Sequence, residues 1–424
     1  MKSEIIKLDN YTINYIKTNN FKNCQIQFVF KEKLKVNTIT CNSLLLDFLV
    51  YSSYNYPTRR ELRNKLEYLY NSNIYGKIFK IGENLFHEYD LYFLNPKYCD
   101  KNYMDEVVKL FSEIIFNPNF DNGDYSKKAF EICKNNYRDY LISLKESPAE
   151  YAIKRSVEIF GKESLTGITA DGYLEELEKL TIDDLKKEYD VLLNNTECYI
   201  YIIGNINKKQ IVNCVNKYLE GIKINKNNNN LYIHNKERKE VLYLEEKSSV
   251  KQDTLVVFYN LELDSKKEKN IDAIIFNYIF GAGGLTSKLY DKVREKHSLC
   301  YVIYSAINRY DNYLYIYAGI NKKDKELCMK LIDECLAEMI NGDFTVGDIK
   351  DSVKALKNVY RNITNSSESV LNYRLYIDFC ENYEIEDRIS LLEKVTKEDI
   401  INVAKKLRKN MVFLLCGDDE NGNN

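Results

Sequence analysis

Leu177-Glu178-Lys179-Leu180-Thr181-Ile182-Asp183-Asp184-Leu185 returns later in the chain as Leu392-Glu393-Lys394-Val395-Thr396-Lys397-Glu398-Asp399-Ile400. In both copies a threonine precedes an aspartate by three positions, the spacing at which each side chain can bond the other's backbone N–H and open a helix. Each helix then runs into a short apolar strand ending at glycine, Cys198 to Gly204 in the first copy and Met411 to Gly417 in the second. Upstream, Met104, Val107, Phe111, Ile114 and Ile115 share their spacing with Met329, Ile332, Leu336, Met339 and Ile340. That spacing makes one apolar helical stripe in each copy. Asn117-Pro118-Asn119-Phe120 closes the first of these helices and Asn341-Gly342-Asp343-Phe344 the second. Matches in the same order, displaced by about half the chain, predict two copies of one domain.

Other elements fit that division. Strand patterns fall at Thr12 to Lys17, Gln25 to Phe30 and Tyr89 to Leu94, and again at Val241 to Leu244, Thr254 to Tyr259 and Tyr313 to Tyr317. Helical patterns fill Thr38 to Tyr51, Thr58 to Tyr70 and Tyr125 to Leu144, then Lys266 to Phe280, Leu285 to Glu295 and Asp348 to Tyr360. The expected fold class is α+β, each domain an antiparallel-rich mixed sheet with helices packed on one face. The polar, asparagine-rich run after Gly221 reads as a linker, giving domains at 1–222 and 236–424 joined by 223–235.

Composition excludes several classes of function. No run of 18 apolar residues occurs in the 424, so no membrane-spanning helix is expected. Lys+Arg 61 against Asp+Glu 63 leaves a net charge of -2, which gives no footprint for nucleic acid or an anionic membrane. The N-terminus lacks the apolar core of a secretory signal, and the expected location is cytoplasmic. Eleven scattered cysteines without a CxxC pair argue against a disulfide framework or zinc ribbon and read mostly as small buried apolar residues. His87, His234 and His297 stand too far apart to share a helical turn, so the chain has no self-contained metal motif of its own.

The run Phe280-Gly281-Ala282-Gly283-Gly284-Leu285-Thr286-Ser287-Lys288-Leu289-Tyr290-Asp291-Lys292-Val293-Arg294-Glu295-Lys296-His297-Ser298-Leu299-Cys300-Tyr301-Val302 reads as a glycine turn, a helix and a strand. It lacks the spacing of a phosphate-binding loop or a dinucleotide fingerprint. Arg294 and Tyr301 bracket the helix-to-strand junction, where a guanidinium and a phenol could meet a peptide carbonyl; equally, Arg294 could be a solvated helix residue and Tyr301 part of the core.

That run resembles the second-domain signature of the pitrilysin and insulinase family of zinc peptidases, which includes the mitochondrial processing peptidase. There a glycine-rich loop precedes S-x-L-(x4)-R-E-(x3)-L-x-Y, and Ser287, Leu289, Arg294, Glu295, Leu299 and Tyr301 fill those places. The resemblance implies two homologous α+β domains and extends over nearly the whole chain. Family members carry zinc on HxxEH in the first long helix, with a further glutamate downstream. Here Ser43, Leu46 and Asp47 stand in the slots of His, Glu and His. A leucine cannot serve as general base, and serine with aspartate cannot replace two imidazoles. The equivalent of the helix that carries the further glutamate is Phe130 to Tyr140, and no ligand is assigned there.

With the zinc half lost and the Arg/Tyr half kept, the chain is similar to non-catalytic, YfmF-type members of the family. The resemblance implies a substrate-binding subunit of a heterodimeric zinc endopeptidase, inactive alone and without a cofactor, whose HxxEH-containing homologous partner holds the zinc. Arg294 and Tyr301 would contact an extended, unfolded or short peptide, and Gly281, Gly283 and Gly284 would form a loop at the entrance. An inert scaffold of the same fold is the alternative. A further one is an enzyme using Cys300 with His297, which requires the helix to continue past His297.

Overall fold

The duplication in the sequence is a duplication of sheet order. The protein, seen in a computed structural model, is described over residues 3–8, 11–219, 231–248, 252–263, 271–381 and 383–417. Part of the expected linker, 223–230, and the start of the expected helix at Lys266 lie outside these described residues. The first sheet holds β1 (Glu4–Lys7), β2 (Thr12–Lys17), β3 (Asn23–Lys33), β4 (Asn73–Ile81), β5 (Asn84–Leu94) and β6 (Glu197–Gly204) in the order β1-β2-β6-β3-β5-β4. The second holds β7 (Leu242–Lys247), β8 (Asp253–Leu261), β9 (Ile303–Asn308), β10 (Tyr313–Ile320) and β11 (Leu407–Cys416) in the order β7-β11-β8-β10-β9. Apart from β1 the two orders coincide position for position. In each, the strand after the capping-box helix runs parallel to one neighbour, β6 to β2 and β11 to β7, while the remaining pairs are antiparallel.

Both capping boxes form, Thr181 with Asp184 and Thr396 with Asp399, and start the helices Ile182–Asn195 and Lys397–Lys406. Gly342 ends the helix Lys325–Asn341 at φ 79, a left-handed C-cap that glycine adopts without strain. The expected strands are present, most of them longer than their sequence signals and Thr12–Lys17 with the bounds expected. Two, β1 and β4, were absent from the sequence reading. They occupy the two edges of the first sheet, where partial exposure blurs the alternation that marks an inner strand.

Alternation on the inner strands decides what packs where. In the first sheet, Phe28 of β3 meets Phe111 of the helix Tyr103–Phe116 with ring centroids 4.8 Å apart. The same face takes the helix Ile39–Tyr51, whose Leu44, Leu45, Phe48 and Leu49 are fully buried. In the second, Leu255, Val257 and Tyr259 of β8 share a core with Ile275, Phe276, Ile332 and Ile400 from the helical layer. The helical layer on one face is as expected.

The opposite face of each sheet takes one further helix, and it comes from the other half of the sequence. Residues 1–142, 170–230 and 363–376 make one compact unit, and 143–169, 231–362 and 377–424 the other. Thus the helix Pro148–Phe160 covers the second sheet, where Phe160 stacks on Phe258 of β8 at 4.9 Å and packs with Met411, Phe413 and Leu415. The helix Ser367–Tyr376 lies on β3 and β6 of the first, with Asn372 accepting a hydrogen bond from Gln27 Nε2 at 3.1 Å.

Candidate functional site

The slots of the lost metal site sit on the helix Ile39–Tyr51, and each is filled by a side chain with other work. Ser43 Oγ lies 3.0 Å from Ile39 O and 2.6 Å from Ala170 O, so its one proton is committed to the backbone. Leu46 is buried against β4, where a Cβ on Gly76 would come within 2.9 Å of its Cγ. Asp47 is the one slot with a carboxyl group, and burial pushes its pKa up to about 6. On the helix Asp124–Ser143, which contains the equivalent of the distal-ligand segment, Tyr137 donates to Asp171 O at 2.7 Å. Zinc needs three or four deprotonated nitrogen, sulfur or oxygen donors. A leucine, a proton-donating serine and one buried carboxyl do not fit it, and no group of three His, Cys, Asp or Glu suited to a metal ion occurs among the described residues.

The Arg/Tyr segment is built differently from its sequence pattern. The helix Ile271–Asn277 passes into a π-helical turn, Tyr278–Ala282, which contains Gly281. A Cβ there would stand 2.3 Å from Ser305 Oγ and 2.7 Å from Ser305 N, so the glycine lets the turn lie directly on β9. A Cβ on Gly283 would meet Tyr278 O at 2.6 Å, whereas Gly284, at φ +59, has nothing within 4 Å. Of the three glycines, then, two are close-packed and one is open.

Arg294 lies in a second π-helical stretch, Tyr290–Lys296. Its guanidinium sits over the Tyr290 ring, 4.6 Å from the centroid, and donates to the Tyr290 hydroxyl. The sequence reading missed Tyr290, although its position four residues before Arg294 on a helix was the available signal. The helix stops where Ser298 takes φ 53, with Ser298 N bonded to Arg294 O and Leu299 N to Val293 O. Tyr301 follows with 80% of its surface exposed, and Leu285, earlier on the same segment, is 73% exposed. Two large apolar side chains left in water on this segment exclude the core reading of Tyr301.

The same break separates Cys300 from His297. His297 Nδ1 engages Lys292 O at 2.8 Å, and burial pushes the Cys300 thiol up to about 11, which keeps it protonated. All eleven cysteines are free, and nine are buried.

Two domains of one topology, one with a metal site that no longer fits metal, define a peptidase-like protein without the catalytic machinery of a peptidase. Comparison with known proteins agrees. Residues 179–356 match the family described as Peptidase M16 inactive domain. The chain is 24% identical over 414 residues, 96% of each chain, to Probable inactive metalloprotease YmfF of Bacillus subtilis, so the type name is YmfF rather than YfmF. It is 24% identical over 315 residues, 72% of this chain and 70% of the other, to Non-peptidase homolog YmxG of Helicobacter pylori. A crystal structure of a conserved protein from Enterococcus faecalis V583 superposes with a TM-score of 0.92 at 25% identity, covering 99% of both chains. The chain is thus similar, between residues 179 and 356, to the inactive domain of M16 peptidases and, along its length, to proteins named as an inactive metalloprotease and a non-peptidase homologue.

Proposed function

We propose that the chain is the substrate-binding subunit of a heterodimeric zinc endopeptidase, and that a homologous partner with HxxEH holds the zinc. The observation that carries this is asymmetric loss: Ser43 and Leu46 are rebuilt as core, while Tyr301 stays in water and Arg294 is held over the Tyr290 ring. Stacking on Tyr290 fixes the guanidinium plane, and its remaining N–H groups form a fork suited to a peptide carbonyl. The Tyr301 phenol supplies a second donor for the same peptide. Work of this kind is positioning and charge stabilisation, which needs no metal in this chain. Eleven free cysteines fit a reducing compartment, consistent with the cytoplasm. No helix among the described residues is long and apolar enough to cross a membrane.

The test is turnover by the reconstituted pair. The chain should co-purify with an HxxEH subunit that cleaves unfolded peptides, and Arg294→Ala should lower kcat/KM by about tenfold or more, equivalent to one charged hydrogen bond. Tyr301→Phe should cost less. Unchanged turnover in Arg294→Ala would remove the assignment, and absence of turnover with any partner would favour the inert scaffold.

A further inference from the structure

The outer face of the first sheet differs from its counterpart in a way packing does not require. On the second sheet that face presents Phe258, Tyr313 and Tyr317 to the helix Pro148–Phe160 and forms a dry core. On the first, the matching strands present Gln25 and Gln27 of β3 and Glu88, Asp90 and Tyr92 of β5. All four polar residues among these are buried. Burying such groups costs free energy unless each finds a partner, and some do not. Gln25 Nε2 donates to Asp90 Oδ1 at 2.8 Å, but Glu88 Oε2 has no hydrogen-bond partner although Glu88 is only 2% exposed.

These groups floor a cavity of about 590 Å³ lined by Tyr75, Lys77, Glu88, Asp90, Tyr92 and Glu368, the last from the helix Ser367–Tyr376. Tyr75 and Tyr92 stand edge to face at 5.7 Å and wall one side. Lys77, the cross-strand partner of Glu88, offsets part of the floor's charge, but its ammonium lies over the Phe79 ring, 5.2 Å from the centroid. Burial and the neighbouring Asp90 push Glu88 up to about 9, so at neutral pH the two carboxyls retain a proton between them. A cation entering the cavity can replace that proton. No group of three residues suited to a metal ion occurs among the described residues, which points to an organic cation.

We infer that this cavity receives the ammonium or guanidinium group of a lysine or arginine side chain in a bound peptide. Glu88 and Asp90 meet the charge at the floor, Glu368 meets it at the mouth, and the two tyrosine rings line one side of the alkyl stem. The cavity opens beside β4, a sheet edge on which an extended chain can align its backbone. Identification of the cation as part of a peptide rests on the peptide-binding reading above; the cavity's preference for a cation does not.

Two measurements on the full chain separate the two. Saturation-transfer NMR with Nα-acetyl-lysinamide and Nα-acetyl-argininamide probes the cavity alone, with Nα-acetyl-norleucinamide as the neutral control. The basic amides should give transfer that Glu88→Gln weakens about tenfold, and the norleucine compound should give none. Because Glu88→Gln changes a buried group, Glu368→Gln at the exposed mouth serves as a second variant that leaves the core intact, and it should weaken binding in the same direction. No transfer from the basic amides, or transfer indifferent to both variants, overturns the inference. Fluorescence anisotropy with two otherwise identical peptides, one carrying lysine and one norleucine, tests the other half. A preference for lysine supports it, and equal affinity overturns it while leaving peptide binding intact. Binding of the basic amides with no peptide bound would retain the cation site and remove the peptide.

Discussion

At the scale of single residues, the lost metal slots make a prediction about pH. Asp47 has a folded-state pKa of about 6, against about 4 for an unfolded aspartate. Between those values the folded chain holds the proton more tightly, so the contribution of Asp47 to stability is greatest below about pH 4 and falls as pH rises through 6. The loss is on the order of 3 kcal/mol above that window. Asp47→Asn removes the ionisation, and urea unfolding should find the variant more stable than the parent at pH 7 and equal to it at pH 4. A constant difference at both pH values would disprove the burial argument. The glycines give a second test. Gly281→Ala forces a methyl into Ser305 backbone and should cost about 2 kcal/mol or more, whereas Gly284→Ala meets only the left-handed strain of about 1 kcal/mol. Equal costs would mean that β9 shifts to admit the methyl.

At the scale of elements, the capping boxes should behave as equivalents. Thr181→Ala and Thr396→Ala each remove one reciprocal cap, and each should lower stability by about 1 kcal/mol in chemical denaturation. A cap whose loss cost nothing would show that packing alone sets that helix start. These same residues made the duplication readable, because a Thr-x-x-Asp box is a local signal that no tertiary context is needed to interpret. The inner strands were readable for a related reason: Thr254 to Tyr259 is an apolar run between polar ones, and in Thr12–Lys17 Ile13 and Tyr15 alternate with polar residues. The edge strands of the first sheet were not. In β4, Gly76 and two lysines interrupt the pattern, and only the neighbouring β5 fixes its register. The π-helical turns around Gly281 and Arg294 were also illegible, since a fifth residue per turn depends on Ser305 and Tyr290 being where they are. Arg294 and Tyr301 were visible only through resemblance. The charged face of β5 was written in the alternation Glu88, Asp90, Tyr92, but the residues that bury it come from Ser367–Tyr376, far along the chain.

At the scale of the whole molecule, each compact unit borrows one helix from the opposite half of the sequence. Cutting the chain at the expected linker therefore separates each sheet from one of its coverings. Expressed alone, residues 236–424 would leave Val256, Phe258, Met411, Phe413 and Leu415 without Phe160 and its helix. Such a fragment should bind a hydrophobic dye and aggregate, and co-expression with residues 1–222 should rescue it. A fragment that stays monomeric and dye-silent would show that the helix Pro148–Phe160 is dispensable.

The exchange also sets the order in which the protein can be completed as it is made. Strands β1 to β6 are complete once Gly204 is synthesised, but the helix that lies on their outer face begins only at Ser367. At about 5–20 residues per second, translation leaves that acidic face without its lid for on the order of ten seconds or more. The buried face of the second sheet has the opposite history: its covering helix, Pro148–Phe160, is already waiting before the first strand of that sheet emerges. The polar face is thus the one that waits in water, and the apolar face the one that never has to.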